Sequence, residues 1–209
     1  FENEEDTTAV LSGFTVQNGF GTVVPTRGGG ITIQGSYLSN NIEDLPTPKI
    51  KYCIIKDNVN IGIYINYAIP TLKNLTIKNN TGVTPGIYVD NSAGYYPNYT
   101  FNLSNSLLYG NIVVEGSGNT AQIGINWTSN ATIEFVTIDS NLVNCPTAIS
   151  ITGTDLLLKN SIISSNSLFY QNSGSITSTY NIFDTSDDVS AIVDLSNLFS
   201  DPLFVDATN

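Results

Sequence analysis

The chain contains no histidine. Any general base working near neutral pH therefore has to be a lysine or a carboxylate with a strongly shifted pKa. Two pairs have the spacing for such work: Lys73 with Lys78, and Glu134 with Asp139, each pair five positions apart. A lysine would serve as base, or the carboxylates as acid and base. The densest acidic group is "FDTSDD", with Asp184, Asp187 and Asp188, which together with Asp155 or Asp194 could offer oxygen ligands to calcium. It lacks the ligand spacing and glycine of an EF-hand loop, so a solvated acidic turn is the competing reading. Tyrosines form a third group. Tyr64 and Tyr88 occupy matching places in "GIYIN" and "GIYVD", and Tyr95, Tyr96 and Tyr99 crowd "NSAGYYPNY". A ring face with a polar hydroxyl suits stacking on sugar rings; local packing is the competing reading. Arg27, the only arginine, lies in a glycine-rich loop and reads as a surface residue. No catalytic triad, nucleophile elbow or phosphate loop is visible.

The elements that must position these residues repeat. "PKIKYCIIKDN" at 48–58, "PTLKNLTIKNN" at 70–80 and "ATIEFVTIDSN" at 131–141 share an apolar alternation closed by asparagine. With Asn58, Asn80, Asn111, Asn141 and Asn166 as anchors, the residues eight before them are Ile50, Leu72, Leu103, Ile133 and Leu158. Five before stand Cys53, Leu75, Ser106, Val136 and Ser161; three before stand Ile55, Ile77, Leu108, Ile138 and Ile163. Columns this uniformly apolar or small predict an inward face.

A second short strand precedes the last four anchors: "GIYIN" at 62–66, "GIYVD" at 86–90, "GINWT" at 124–128 and "AISIT" at 148–152. Two strands at a near-constant offset, recurring every 22 to 31 residues, are the signature of a solenoid. Asn, Gly, Thr and Ile dominate and no helical periodicity competes. Each repeat is one turn of a parallel β-helix. The anchor asparagine should mark a corner, where Asn tolerates left-handed backbone, and should hydrogen-bond from turn to turn as a ladder. The expected fold is all-β, a right-handed single-stranded parallel β-helix of about seven coils with a C-terminal cap over 194–206, in one domain spanning 1–209. Leu11, Phe14 and Val16 should point inward. "ITIQGSYLSNN" at 31–41 fits the template with Asn41 as anchor, but Asn41 to Asn58 is only 17 residues, short for a coil; the slightly preferred alternative takes "GGGITIQG" as a leading strand with 36–48 as a protruding loop.

Outward columns follow from the same template. Seven before the anchor stand Lys51, Lys73, Ser104, Glu134 and Lys159; two before stand Lys56, Lys78, Tyr109, Asp139 and Ser164. Lys73 and Lys78 thus share one coil, and Glu134 and Asp139 share another two coils away, about 10 Å at a strand spacing of about 4.8 Å. That is too far for direct proton sharing, although a bound sugar could bridge it. A solvated face of mixed charge is the competing reading. In the leading strand the outward residues read Tyr64, Tyr88, Asn126 and Ser150. Four before the anchor, Ile54, Thr76, Leu107, Thr137 and Ile162 form an outward apolar or β-branched stripe that another chain, domain or loop could cover.

A formal net charge of −11 sets aside nucleic acid and anionic lipid as partners. No apolar run is long enough for membrane insertion. Cys53 and Cys145 have no metal-type spacing and read as buried small hydrophobes, with a disulfide as the minor alternative. N-glycosylation tripeptides begin at Asn74, Asn79, Asn98, Asn102, Asn126 and Asn130 and lend weak support to an extracellular setting.

"LSGFTVQNG", "GGGITI", "PTLKNLTIKNN", "GIYI" and the closing "NLFSDPLFVDATN" resemble the right-handed parallel β-helix repeat proteins of the pectate-lyase-like superfamily. More narrowly they resemble large secreted or surface-exposed proteins with polymorphic-outer-membrane-protein-like repeats. The resemblance spans nearly the whole chain and implies an extracellular or cell-surface location, within a larger protein. It leaves activity open, because the superfamily mixes lyases, hydrolases, adhesins and structural domains. In its lyases a lysine or arginine base works with carboxylate-bound calcium. Three functions follow as expectations: a non-enzymatic scaffold or adhesin that binds polysaccharide or other surface proteins; a polysaccharide lyase or glycoside hydrolase using Lys73, Lys78, Glu134 and Asp139; and a self-associating subunit of a surface filament or layer.

Overall fold

The computed structural model describes residues 1, 5–21, 28–35, 45–91, 99–114, 120–139, 147–165, 167, 169–184 and 196–200. Among these there are strands and turns and no helix. Every strand pair is parallel, and each turn of chain lays its strands beside those of the turn before. The protein is a parallel β-helix. The leading strands Ile31–Gln34, Ile63–Asn66, Ile87–Asp90, Ala121–Asn126, Thr147–Thr152 and Phe169–Gln171 stack into one sheet. A larger sheet has two halves. Its first half includes Lys49–Lys51, Thr71–Lys73 and Thr154–Lys159; its second includes Ile54–Lys56, Thr76–Lys78 and Ile162–Ser164. Thr100–Tyr109 and Asn130–Asp139 run through both halves. A narrow third ladder joins Phe20, Val59, Thr81 and Ile112.

The inner columns fall where the spacing predicts. Ile50, Leu72, Leu103, Ile133 and Leu158 are buried, as are Ile55, Ile77, Leu108, Ile138 and Ile163. Each such side chain contributes about 1.5–3 kcal/mol relative to exposure, but only because a neighbouring turn covers it. Cys53, the free cysteine among the described residues, is buried in the same core.

The offsets of eight, five and three are not all even, and the backbone explains the odd step. Gly13, Tyr52, Asn74, Asn105, Phe135, Asn160 and Tyr180 form one column at positive φ, six before the anchor. A left-handed residue makes two consecutive side chains face outward, as at Ser104 and Asn105, and then returns Ser106 to the interior. The same step recurs just before the anchor, at Asn18, Asp57, Asn79 and Gly110. This corrects one expectation. The left-handed corner is the residue preceding the anchor, whereas the anchor itself points inward and carries the ladder.

That ladder is continuous. Asn58 Nδ2 donates to Asn80 Oδ1 at 2.9 Å, and Asn80 Nδ2 to Asn111 Oδ1 at 3.0 Å. Backbone N–H groups of Asn58 and Asn80 donate to the same oxygens, each at 3.0 Å. All three asparagines are fully buried, so each bond replaces one that water can no longer make. Anchors Asn141 and Asn166 lie outside the described residues. A second ladder, unforeseen in the sequence, runs down the other inward corner. Ser161 N–H donates to Asn181 Oδ1 at 2.8 Å, and Asn181 Nδ2 to Asn197 Oδ1 at 3.1 Å. Beside it Phe183 stacks on Phe199, at 5.7 Å between centroids, where Leu198–Phe199 adds a last strand. The rest of the expected cap lies outside the described residues.

Two further expectations need correction. Phe14 is exposed, although Leu11 and Val16 pack on the core; among the described residues its strand neighbour Thr15–Gln17 pairs on one side only, with Ile54–Lys56. In the leading sheet Tyr88 pairs with Gly124, whereas Asn126 pairs with Asp90. A slip of two residues keeps every side chain on its own face, so alternation cannot detect it. Ile31–Gln34 is a leading strand, as "GGGITIQG" suggested.

Candidate functional site

Lys73 and Lys78 lie on one turn, Glu134 and Asp139 two turns away, and Ser104 and Tyr109 stand between them in register. The structure therefore keeps the candidate base and the candidate carboxylates apart. Glu134 Oε1 lies 3.3 Å from Lys159 Nζ, in a half-exposed ion pair with the following turn. Lys78 Nζ stands 5.4 Å from the centroid of the Tyr109 ring. A hydrogen bond with Tyr109 comes first among the causes holding its pKa above the ordinary lysine value, so at neutral pH it is a cation without a lone pair. Lys56 pairs with Asp57 at 3.2 Å. Asp184 follows Ser164 in the same column and accepts from its hydroxyl at 3.3 Å. Asp155 accepts from Ser175 at 2.7 Å. Arg27, Asp187, Asp188, Asp194 and Cys145 lie outside the described residues, as do Tyr95 and Tyr96.

Tyr64 and Tyr88 stack across adjacent turns, 6.0 Å between centroids and 28° between planes. Tyr64 is buried beneath its neighbour and presents no free face. Tyr99 is also buried, tilted against Tyr67 at 6.2 Å in a small cluster with Leu45. Tyr88 remains half-buried. Its ring lies along the solenoid axis over Gly124, where an added Cβ would meet Tyr88 Cδ2 at 2.9 Å. Its hydroxyl accepts from Asn126 Nδ2 at 2.9 Å.

Burial first, then the negative charge of Asp90, raises the Tyr64 phenol well above its ordinary value. The neutral form is thus favoured by folding. The associated stability is complete below the unfolded phenol pKa of about 10 and is lost as pH rises past it. Unfolding free energy measured between about pH 9 and 11 is expected to fall with pH, and Tyr64→Phe to flatten that slope.

The sequence reading missed the residue beside Asn126. Trp127, the single tryptophan, is half exposed, and its indole lies over Gly153, where an added Cβ would meet ring carbon Cε3 at 2.5 Å. It sits at positive φ at the corner leaving the leading strand. Tyr88 and Trp127 repeat one device, an aromatic ring laid on a glycine of the next turn. Together with the Asn126 amide they make a surface of two aromatics and one polar contact. The signal available in the sequence was the tryptophan followed by glycine at the matching place one turn later, which needed the corrected register to be seen.

A third group was also missed. Tyr52, Phe135 and Tyr180 are exposed and left-handed, in a column otherwise filled by Gly13, Asn74, Asn105 and Asn160. Bulky side chains cost about 1–2 kcal/mol in that conformation. Phe135→Asn is accordingly expected to raise the unfolding free energy of the isolated chain by about 1 kcal/mol, measured by urea denaturation. Comparison with family models, with curated proteins and with solved structures returned no match.

Proposed function

We propose that this β-helix is a non-enzymatic extracellular or cell-surface domain that binds carbohydrate on its leading face and otherwise serves as a rigid scaffold. The observation that carries the reading is the exposed Trp127 indole on Gly153, next to the hydrogen-bonded Tyr88–Asn126 pair. Sugar rings present apolar C–H faces flanked by hydroxyls; a flat indole meets the former, a phenol and an amide the latter. Tyr64 supports Tyr88 from below, and Tyr95, Tyr96 and Tyr99 belong to the segment that follows this strand. Low charge, the glycosylation tripeptides and the resemblance to the pectate-lyase-like superfamily support the location. Calcium at Asp184, Asp187 and Asp188 stays a proposal that carbohydrate binding does not require.

A glycan array probed with the wild-type chain and with Trp127→Ala tests the site. Binding by the wild type that falls at least about tenfold in the variant, with an unchanged far-UV spectrum, is the expected result. Equal binding by both would remove Trp127 from the site. Because Trp127 is the only tryptophan, quenching or enhancement of its emission gives an independent titration.

The second reading is polysaccharide cleavage. It rests on Lys73, Lys78, Glu134 and Asp139 facing one side of the larger sheet across the Ser104–Tyr109 row. A sugar chain lying across about 10 Å would touch both pairs. The charged state of Lys78 and the engagement of Glu134 by Lys159 weigh against it.

A further inference from the structure

We infer that the outward face of the larger sheet, both halves together, is a self-complementary surface through which two copies of this chain associate antiparallel, about a two-fold axis at the Thr100–Tyr109 strand. This surface belongs to a different sheet from the leading sheet's aromatic site and does not depend on carbohydrate binding. Three observations carry it.

First, the outward stripe is real and longer than the sequence suggested. Thr15, Ile54, Thr76, Leu107, Thr137, Ile162, Ile182 and Leu198 stand in unbroken register. Ile54, Leu107 and Leu198 are 40%, 37% and 61% exposed. A row of five aliphatic side chains and three threonines along one outer face, with exposed aliphatics among them, suits a contact surface.

Second, the charges beside the stripe change sign along the axis. Lys49, Lys51, Lys56, Lys73 and Lys78, five of the six lysines, lie on two adjacent turns. Lys51 is directly opposite Lys73, and Lys56 opposite Lys78, a like-charge arrangement that costs stability within one copy. Glu134, Asp139, Asp155 and Asp184 lie on the turns beyond Thr100–Tyr109. A two-fold axis parallel to the strands keeps each column facing itself while reversing the order of turns. Centred on Thr100–Tyr109, it sets Lys78 opposite the second copy's Asp139 and Lys73 opposite its Glu134, and Lys51 opposite its Lys159, whose charge the Glu134 pair at 3.3 Å offsets. Ile54 then meets Ile162, Thr76 meets Thr137, and Leu107 meets its own copy. A parallel arrangement sets the lysine turns against each other, so the charges favour the antiparallel orientation; half a turn away Lys51 and Lys56 would meet Glu134 and Asp139 as well, and the register is set by the corner column.

Third, the corner column bordering the stripe holds Tyr52, Phe135 and Tyr180 in left-handed backbone with more than half of each side chain exposed. In the antiparallel arrangement Phe135 faces Asn74 of the second copy, Tyr52 faces Asn160, and Tyr180 faces Gly13, so each aromatic meets a small residue. Strain held at an exposed position is a usual mark of a contact site.

The face is narrow. Seven rows, Thr15 to Ile182, face their counterparts; at about 4.8 Å they span about 29 Å, and a strip about 15 Å wide buries roughly 430 Å² per copy, below the ~800 Å² of a standard interface. Association is therefore expected in the micromolar range and to weaken with salt, since the charged rows are solvent-exposed. Sedimentation velocity of the full chain from about 20 to 500 μM reads it. Lys78→Asp and Asp139→Lys should each weaken dimerisation at least about tenfold, and the double exchange should restore it. Leu107→Cys should form an intermolecular disulfide on mild oxidation, which Ile54→Cys alone should not. A far-UV spectrum unchanged from wild type confirms that each variant folds. A wild-type chain that stays monomeric over this range overturns the inference, as does a double exchange without rescue. A monomer whose lysine rows retain dextran sulfate would assign the face to a polyanion and overturn it equally.

Discussion

Replacing Asn80 with leucine is expected to destabilise the protein by about 4 kcal/mol or more, a loss few single substitutions reach. The side chain is close to isosteric, so the cost is polar. Asn80 Oδ1 accepts from the N–H and the amide of Asn58, and its Nδ2 donates to Ile55 C=O at 3.1 Å and to Asn111 Oδ1. Leucine strands the buried Asn58 N–H, at about 1–3 kcal/mol, and removes three further bonds at about 1 kcal/mol each, although Asn58 Nδ2 keeps Val16 C=O and Asn111 Oδ1 keeps the backbone N–H of residue 80. The neighbouring Asn79 is the control. It is exposed and left-handed, and Asn79→Gly should change stability by less than about 0.5 kcal/mol. Urea denaturation of the two variants decides the point. Equal effects would mean that the ladder contributes no more than a corner does. In a solenoid each turn is held by its neighbours, so hydrogen exchange in the Asn80 variant should rise first at the amides of Asn58 and Thr81.

Gly82→Ala is expected to cost about 3 kcal/mol or more, at the upper end of overpacking. The turns touch backbone to backbone here: a Cβ on Gly82 would lie 1.6 Å from Asn60 O. A main-chain oxygen cannot rotate away as a side chain can, so the strand Thr81–Gly82 has to separate from the turn before it. Gly13→Ala is the comparison. Gly13 lies at φ 79° with nothing within 4 Å of an added Cβ, so its cost is the left-handed conformation alone, about 1–2 kcal/mol. The larger loss of melting temperature should belong to Gly82→Ala. The reverse order would place the main constraint in local backbone geometry rather than in the spacing between turns.

The inner columns were legible in the sequence because burial admits few residue types, and a missing methyl is felt by both adjoining turns. The outer columns of the larger sheet were legible because they inherit that register. What the sequence hid has specific causes. Asn79 and Asn80 are the same residue type, and only φ decides which turns the corner and which bonds inward. "GINWT" imitates "GIYIN", and a two-residue slip leaves the face unchanged, so Gly124 was masked by Asn126 and the role of Gly153 under Trp127 went with it. Asn181 and Asn197 form a ladder in a column that Cys53 and Leu75 fill with apolar groups, so no pattern linked them. Tyr52 and Phe135 occupy left-handed positions that propensity reserves for glycine and asparagine. Their misfit is informative only once the corner is known.

The measurement that tests the central claim most directly is product analysis on the polysaccharide that the chain binds best. The protein is incubated with it, with and without calcium, while Trp127 emission reports binding and absorbance and chain length report cleavage. The expected result is saturable binding with unchanged polymer length and no unsaturated ends. Unsaturated or shortened products that disappear in Lys73→Ala or Glu134→Gln, while Trp127→Ala leaves them intact, would contradict it and move the functional site to the face of the larger sheet.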